Sequence, residues 1–135
     1  MTKENKELLL KDLSARLPYK VKASYYGAEE ECEIWDEIEG ITNDGYVDIG
    51  QYSLPIEAVK PYLFPLSNIS DEIIDEIYNN AGVYDICIDS PVHIEIGTKF
   101  EDLAKIFDIL HKHHIDYQNL IKKGLAIDAA GSTIY

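Results

Sequence analysis

The chain of 135 residues lacks the features that mark several classes of protein. It has no apolar run near the ~18 residues that a membrane-spanning helix needs. Its opening residues, MTKENKELLLKDL, lack the apolar stretch and small-residue cleavage site of a secretory signal. Its two cysteines, Cys32 and Cys87, are too few for a disulfide framework, which is typical of a reducing compartment. We therefore expect one cytoplasmic domain, residues 1–135, without membrane attachment.

Recognisable catalytic motifs are missing as well. The sequence contains no glycine-rich phosphate loop, no G-x-S-x-G elbow, no C-x-x-C pair and no H-E-x-x-H helix. The stretch TNDGYVD superficially suggests a calcium loop, but Gly40 and Gln51 stand where its first and last acidic ligands belong. Both cysteines have acidic neighbours, which disfavour the thiolate needed for nucleophilic chemistry. We therefore predict a protein that is not an enzyme and needs no cofactor.

Basic residues are absent from Ala23 to Val59, a segment that contains ten acidic residues. That segment therefore carries −10 of the formal net charge of −13. Such a field repels phosphate backbones and anionic lipid surfaces, so we expect no direct binding to nucleic acid or to membranes. A basic protein surface is the partner that this charge favours. The alternative is that the charge only keeps the protein soluble.

The alternating stretch ECEIWDEIEGIT lies within the acidic segment and predicts a strand with one charged side. We call that side the acidic face, and it consists of Glu31, Glu33, Trp35, Glu37 and Glu39. Residues two apart on a strand are separated by about 6.7 Å, so the face presents a row of carboxylates around one aromatic anchor. Cross-strand neutralisation is the alternative. If residues 27–30 form the turn, Lys20 falls opposite Glu37 and Lys22 falls opposite Trp35.

The first half of the chain predicts a helix followed by a β-meander. Leucines at helical spacing predict a helix over residues 3–17, with Thr2 as its N-cap. Alternation predicts a three-stranded meander over residues 19–50, with a type I′ turn at Asp44-Gly45. Three prolines in residues 52–67 predict an irregular apolar strap over the core, with room for one short helical turn.

The second half predicts two helices around a pair of strands. Ser70 caps a helix over residues 70–81, whose predicted buried stripe is Ile74, Ile77, Tyr78 and Ala81. Two short strands follow about Ser90-Pro91, with Val92, Ile94 and Ile96 facing the core. The sequence TKFE is a capping box that predicts a helix over residues 98–113. The expected class is α+β, with an N-terminal helix, an antiparallel meander, and a strand pair and helices packed on one face of the sheet.

Three histidines lie close together in the stretch HKHHIDYQNLIKKGL. Helical geometry puts His114 within about 20° of Leu103 on the apolar stripe, with His111 and His113 about 80° to either side. The three rings therefore cannot converge on one ion. His111 and His114 could still bind a metal together, with an oxygen from Asp108 or Asp116, which makes a small metal-dependent enzyme the alternative function.

The residues after the histidines favour an architectural role. Asp116 is a good N-cap, and Ile115 and Leu120 occupy the positions of a hydrophobic staple. Gly124 supplies the left-handed residue that ends a helix in a Schellman motif. We therefore predict a helix corner and a short final helix, with no metal.

Two stretches, VKPYLFPLS at 59–67 and HHIDYQNLIKKGLAID at 113–128, carry a resemblance together with the opening LLLKDLSARLPYKVK. The chain resembles a family of small uncharacterised proteins encoded by gut Bacteroidetes and by their prophages and other mobile elements. The resemblance implies a small cytoplasmic accessory protein and assigns no catalytic residue. Our leading hypothesis is a non-enzymatic interaction protein whose acidic face engages a basic protein involved in nucleic-acid binding or defence.

Overall fold

The N-terminal helix forms as its sequence predicts. The computed structural model describes residues 1–90 and 93–135, and helix α1 spans Lys3–Arg16. The hydroxyl of Thr2 accepts a hydrogen bond from the backbone N–H of Asn5 at 3.1 Å, which caps the helix. Leu9 and Leu13 are fully buried against the first half of the sheet.

Five antiparallel strands follow, and the order in the sheet is β4-β3-β2-β1-β5. They are β1 (Lys22–Gly27), β2 (Cys32–Ile41), β3 (Tyr46–Ile49), β4 (Tyr52–Pro55) and β5 (Val59–Pro65). The predicted β2–β3 hairpin is confirmed, but its turn type is wrong. Only Gly45 is left-handed, at φ 85°, and its N–H bonds to the carbonyl of Thr42 at 3.2 Å. This is a three-residue turn with a glycine bulge, since a type I′ turn would need positive φ at Asp44 too.

The sheet is bent at β2. A bulge between Ile38 and Gly40 bends this strand, which both halves of the sheet share. The rings of Tyr25 in β1 and Tyr52 in β4 meet edge to face with centroids 5.7 Å apart, across the two strands that separate them. Alternate residues of β2 from position 33 to position 39 are open to solvent on its outer side.

The predicted strap over residues 52–67 is wrong, although its short helical turn forms as 3-10 helix at Ile56–Ala58. The rest of the stretch forms β4 and β5, and β5 lies inside the sheet. The prolines disrupt strand pairing less than expected. Pro61 pairs with Ala23 on one side of β5, and pairing on the other side begins only at Tyr62. Pro61 thus stands where β5 needs no ladder donor on that second side.

Helix α2 (Asp71–Asn80) and helix α3 (Leu103–Lys112) flank the antiparallel pair β6 (Val83–Ser90) and β7 (His93–Thr98). The Ser70 cap is confirmed, because its hydroxyl accepts from the N–H of Ile73 at 3.3 Å. The predicted stripe is partly wrong, because Ile73 and Ile77 are buried while Tyr78 is exposed.

The end of β7 and the apolar side chains of the β6–β7 pair test two further expectations. The capping box is wrong, because Thr98 ends β7 and its hydroxyl donates to the carbonyl of Gly82 at 2.9 Å. Val92 and the side chain of Ile94 lie outside the described residues, whereas Ile96 is half-buried against the second core cluster.

The predicted final helix is wrong as well. Two short strands, β8 (Ile115–Asp116) and β9 (Ile127–Asp128), pair in parallel with β5 and make the sheet mixed. The Schellman signal is nevertheless confirmed: the N–H of Leu125 bonds to the carbonyl of Leu120 at 2.9 Å, and Gly124 has φ 75°. Here the motif closes a compact turn rather than a helix, because β8 and β9, on either side of residues 117–126, both pair with β5.

Two apolar clusters form the interior. One joins α1 to the antiparallel part of the sheet, and the other joins α2, α3 and the β6–β7 pair, with β5 running between them. Within residues 1–90 and 93–135, no helix is long and apolar enough to cross a membrane.

Asp116 is expected to matter more than a helix cap would. It is 3% exposed, and its two carboxylate oxygens each accept a backbone N–H, from Leu120 and Ile121, at 2.9 Å. We expect Asp116→Ala to lower the free energy of unfolding by about 2 kcal/mol, because two charged hydrogen bonds are lost in a buried place. Asp128→Ala is the matched control, since exposed Asp128 accepts one such bond, from Ala130 at 2.8 Å. Urea unfolding of both variants checks this, and equal losses would contradict it.

Candidate functional site

The acidic face is brought together along β2, with departures at its two ends. Glu33, Trp35 and Glu37 are all exposed on the outer side of the strand, and Trp35 is 48% exposed. Glu31 lies in the preceding turn with φ 56°, and Glu39 sits at the β2 bulge. Both are exposed as well. The result is a short row of carboxylates on either side of a single indole ring.

The pairing across β1 differs from the predicted register by two residues. Lys22 is opposite Glu37, Ser24 is opposite Trp35 and Tyr26 is opposite Glu33. The turn occupies residues 28–31, because the N–H of Glu31 bonds to the carbonyl of Gly27 at 2.8 Å. The predicted register, with Lys20 opposite Glu37 and Lys22 opposite Trp35, is therefore wrong. The expected contact of Lys22 with Trp35 nevertheless forms, because the Lys22 ammonium lies 5.1 Å from the centroid of that ring.

Strand β1 adds side chains that the sequence analysis did not assign to the face. Tyr26 is 55% exposed and flanks Glu33, diagonally adjacent to Trp35. The hydroxyl of Ser24 donates to the carboxylate of Glu33 at 3.2 Å. The alternation of YKVKASYY is consistent with both residues lying on the outer side of β1, but their place on the face depends on a register that the turn length sets.

The carboxylates of the acidic face form no ion pair among the described residues. In that part of the chain, ion pairs involve Asp12, Glu57, Glu76 and Asp102, and none involves a residue of the face. Asp36, between Trp35 and Glu37, points to the other side and accepts the hydroxyl of Tyr25 at 2.6 Å. Burial, followed by this contact with Asp36, raises the pKa of Tyr25. The carboxylates of the face are therefore exposed without a salt-bridge partner, whereas its indole ring has the Lys22 ammonium 5.1 Å from its centroid.

The three histidines go to three different partners. The Nε2 of His111 lies 2.6 Å from the hydroxyl of Tyr117, and the Nε2 of His113 lies 3.0 Å from a carboxylate oxygen of Glu76. The ring of His114 stacks on Tyr135 with centroids 3.8 Å apart. Within the described residues, no three His, Cys, Asp or Glu side chains are grouped as metal ligands. The pair His111 and His114 is thus not assembled into a ligand set.

The local backbone explains where these rings lie. Helix α3 ends at Lys112, and His114 is left-handed at φ 58°, so the turn rather than the helix stripe places its ring inside. His114 is buried as expected, and His111 is buried too, contrary to its predicted position off the stripe. Burial lowers the pKa of His114 to about 4 and also lowers the pKa of His111, with the charge of Arg16 adding to both effects.

Of the contacts made by His111, His113 and His114, the one between His113 and Glu76 lies near the surface. The hydrogen bond from His113 lowers the pKa of Glu76, and a second bond from Lys112 at 3.2 Å works in the same direction. This contact joins the end of α3 to α2 and exposes no reactive group.

A buried polar centre connects the histidine segment to α1, and sequence reasoning missed it. Arg16 is 0% exposed and donates to both carboxylate oxygens of Asp12, at 2.7 and 3.1 Å, and to the carbonyl of Ile115 at 2.6 Å. Gln118 donates to Asp12 at 3.1 Å, and the ring of Tyr117 lies 5.7 Å from the Arg16 guanidinium carbon. Burial, with the charge of Asp12 adding to it, raises the pKa of Tyr117. Most polar atoms of these groups are paired with one another, although the Nη1 of Arg16 is buried without a hydrogen-bond partner among the described residues. Such mutual pairing is the behaviour of a structural network.

Protein-family models, curated proteins and solved structures were all compared with this chain. None of them matches. Among the arrangements that the described residues form, the exposed acidic face is the one with the clearest chemical preference. Its carboxylates and indole select cationic groups that carry an apolar stem.

Proposed function

We propose that this protein is a non-enzymatic interaction protein whose acidic face binds a positively charged protein surface. The observation that carries the proposal is the exposed indole of Trp35 held between Glu33 and Glu37 on the outer side of β2. A lysine or arginine of a partner would meet a ring face and a carboxylate at the same point. Both contacts strengthen as the partner excludes water from the face.

The charge distribution supports the same proposal. A coat of charge that served solubility alone would be spread over the surface, whereas −10 of the −13 lies in residues 23–59. Large exposed aromatic residues are also costly on a purely solubilising surface, and both Trp35 and Tyr26 are about half exposed there. The resemblance noted above suggests a mobile-element accessory, whose partner would then be a basic nucleic-acid-binding or defence protein.

The test uses Trp35 as its own reporter, because it is the only tryptophan in the chain. We expect its fluorescence to change saturably on titration with oligolysine, and the affinity to fall as salt is added. Replacing Glu31, Glu33, Glu37 and Glu39 together by Gln should weaken binding by roughly tenfold or more, since each exposed pair contributes up to about 1 kcal/mol.

A matched variant separates the face from net charge. Four exposed glutamates on other elements, changed together to Gln, remove the same charge: Glu4, Glu7, Glu72 and Glu101. We expect this control to bind oligolysine nearly as the parent does. If both variants lose affinity equally, general charge explains the binding and the acidic face is not a site. A pull-down from cell lysate, eluted across a salt series, would then identify the natural partner of the parent.

A further inference from the structure

One lysine already occupies the position that a basic partner would take. The ammonium of Lys22 lies 5.1 Å from the centroid of the Trp35 ring, within the range of a cation–π contact. Its Cα is paired with that of Glu37, but the ammonium donates to the carbonyl of Ile134 at 2.6 Å. Lys22 precedes by one position the segment that lacks basic residues.

The last residues of the chain hold Lys22 in this place. The hydroxyl of Tyr135 accepts the backbone N–H of Lys22 at 2.9 Å and donates to the carbonyl of Tyr62 at 2.8 Å. The β1–β5 ladder pairs Ala23 with Pro61, so this hydroxyl stands at the next rung and bridges the two strands. The Tyr135 ring also lies 5.6 Å from the Lys22 ammonium, which therefore rests between two aromatic rings.

A ring face that holds one ammonium repels a second cation. A partner lysine can reach the indole of Trp35 on this side only if Lys22 moves, and Lys22 moves only by giving up the carbonyl of Ile134. In the free protein, therefore, the protein's own Lys22 occupies part of the binding position on the acidic face.

We propose that Lys22, held by the C-terminal residues, is an internal competitor that a basic partner must displace from Trp35. This inference rests on the proposed function, and it specifies both the partner group, an ammonium on a flexible stem, and how its access is limited. The competitor role predicts that removing the Lys22 ammonium strengthens binding by more than its charge alone explains.

Lys22→Met keeps the side-chain length and the backbone bond to Tyr135 while it removes the ammonium. Lys60→Met is the matched control, since Lys60 is exposed on the outer side of β5, opposite Ser24, and the charge change is the same. In oligolysine titrations followed by Trp35 fluorescence, we expect Lys22→Met to bind roughly two- to fivefold more tightly than Lys60→Met. Without peptide, the Trp35 emission should change in Lys22→Met and stay at the parent's value in Lys60→Met.

The outcomes separate the two proposals. Equal affinities of Lys22→Met and Lys60→Met would overturn the competitor role and leave the proposed function standing. If oligolysine binds none of the three proteins, the proposed function fails, and the competitor role fails with it.

Discussion

Asp12→Leu is expected to lower the free energy of unfolding by about 3–5 kcal/mol, the largest loss from a single substitution that we predict. The reason is that Arg16 is fully buried and would keep its charge with no carboxylate beside it. Gln118 would lose an acceptor in the same change. Urea unfolding at neutral pH measures the effect.

The double variant Asp12→Leu/Arg16→Met gives the sharper comparison. Because no buried charge remains, we expect it to recover at least ~1 kcal/mol of the loss, even though the carbonyl of Ile115 loses its donor. As a surface control, Glu57→Gln breaks the exposed Lys6–Glu57 pair and should change stability by at most about 0.5 kcal/mol. A double variant less stable than Asp12→Leu would show that the guanidinium is stabilising without its carboxylate.

His114 is expected to make the folded state sensitive to acid. Its pKa is about 4 in the folded protein and 6.5 in an ordinary setting, so the unfolded chain binds the proton first as the pH falls. The contribution of His114 is therefore fully present above pH 6.5 and is lost progressively down to about pH 4. The difference between these two values is equivalent to roughly 3 kcal/mol.

Comparing how the free energy of unfolding changes with pH in the parent and in a variant separates the effect of His114 from that of the carboxylates, which titrate over a neighbouring pH range. We expect the free energy of unfolding of His114→Phe to fall less between pH 6.5 and 4 than that of the parent. A constant cost of placing Phe at the positive φ of this position does not alter the slope. Parallel curves for the parent and His114→Phe would show that burial does not suppress protonation at this ring.

Local signals in the sequence predict the parts of the fold that local chemistry determines. The caps at Thr2 and Ser70 and the hairpin at Gly45 form as expected, since each needs only neighbouring residues. The strap and the final helix were wrong because β5 recruits partners from both sides, and such long-range pairing overrides proline and capping signals.

The acidic face and the buried polar centre differ in what the sequence could predict. Alternation alone places Glu33, Trp35 and Glu37 outside, but the opposing residues depend on a turn that is shifted by one position at each end. Asp12 and Arg16 have the spacing of an ordinary surface ion pair on a helix, so nothing in their pattern indicates burial. Their hydrogen-bond partners, Ile115 and Gln118, lie in the stretch 113–128. The same stretch pairs with β5, so it contacts both α1 and β5 beside the buried polar centre.

The hydroxyl of Tyr135 that bridges β1 and β5 also bears on the order in which the chain folds. Strands β1 to β5 are neighbours along the sequence, so most of the antiparallel sheet can pair early through short loop closures. The bridge joins residues 113 positions apart, and the Arg16 contact with Ile115 spans 99. Both must await the slow closure of nearly the whole chain. Lys22 should therefore reach its resting place only in the last step of folding, after a period in which Trp35 and its carboxylates are uncovered.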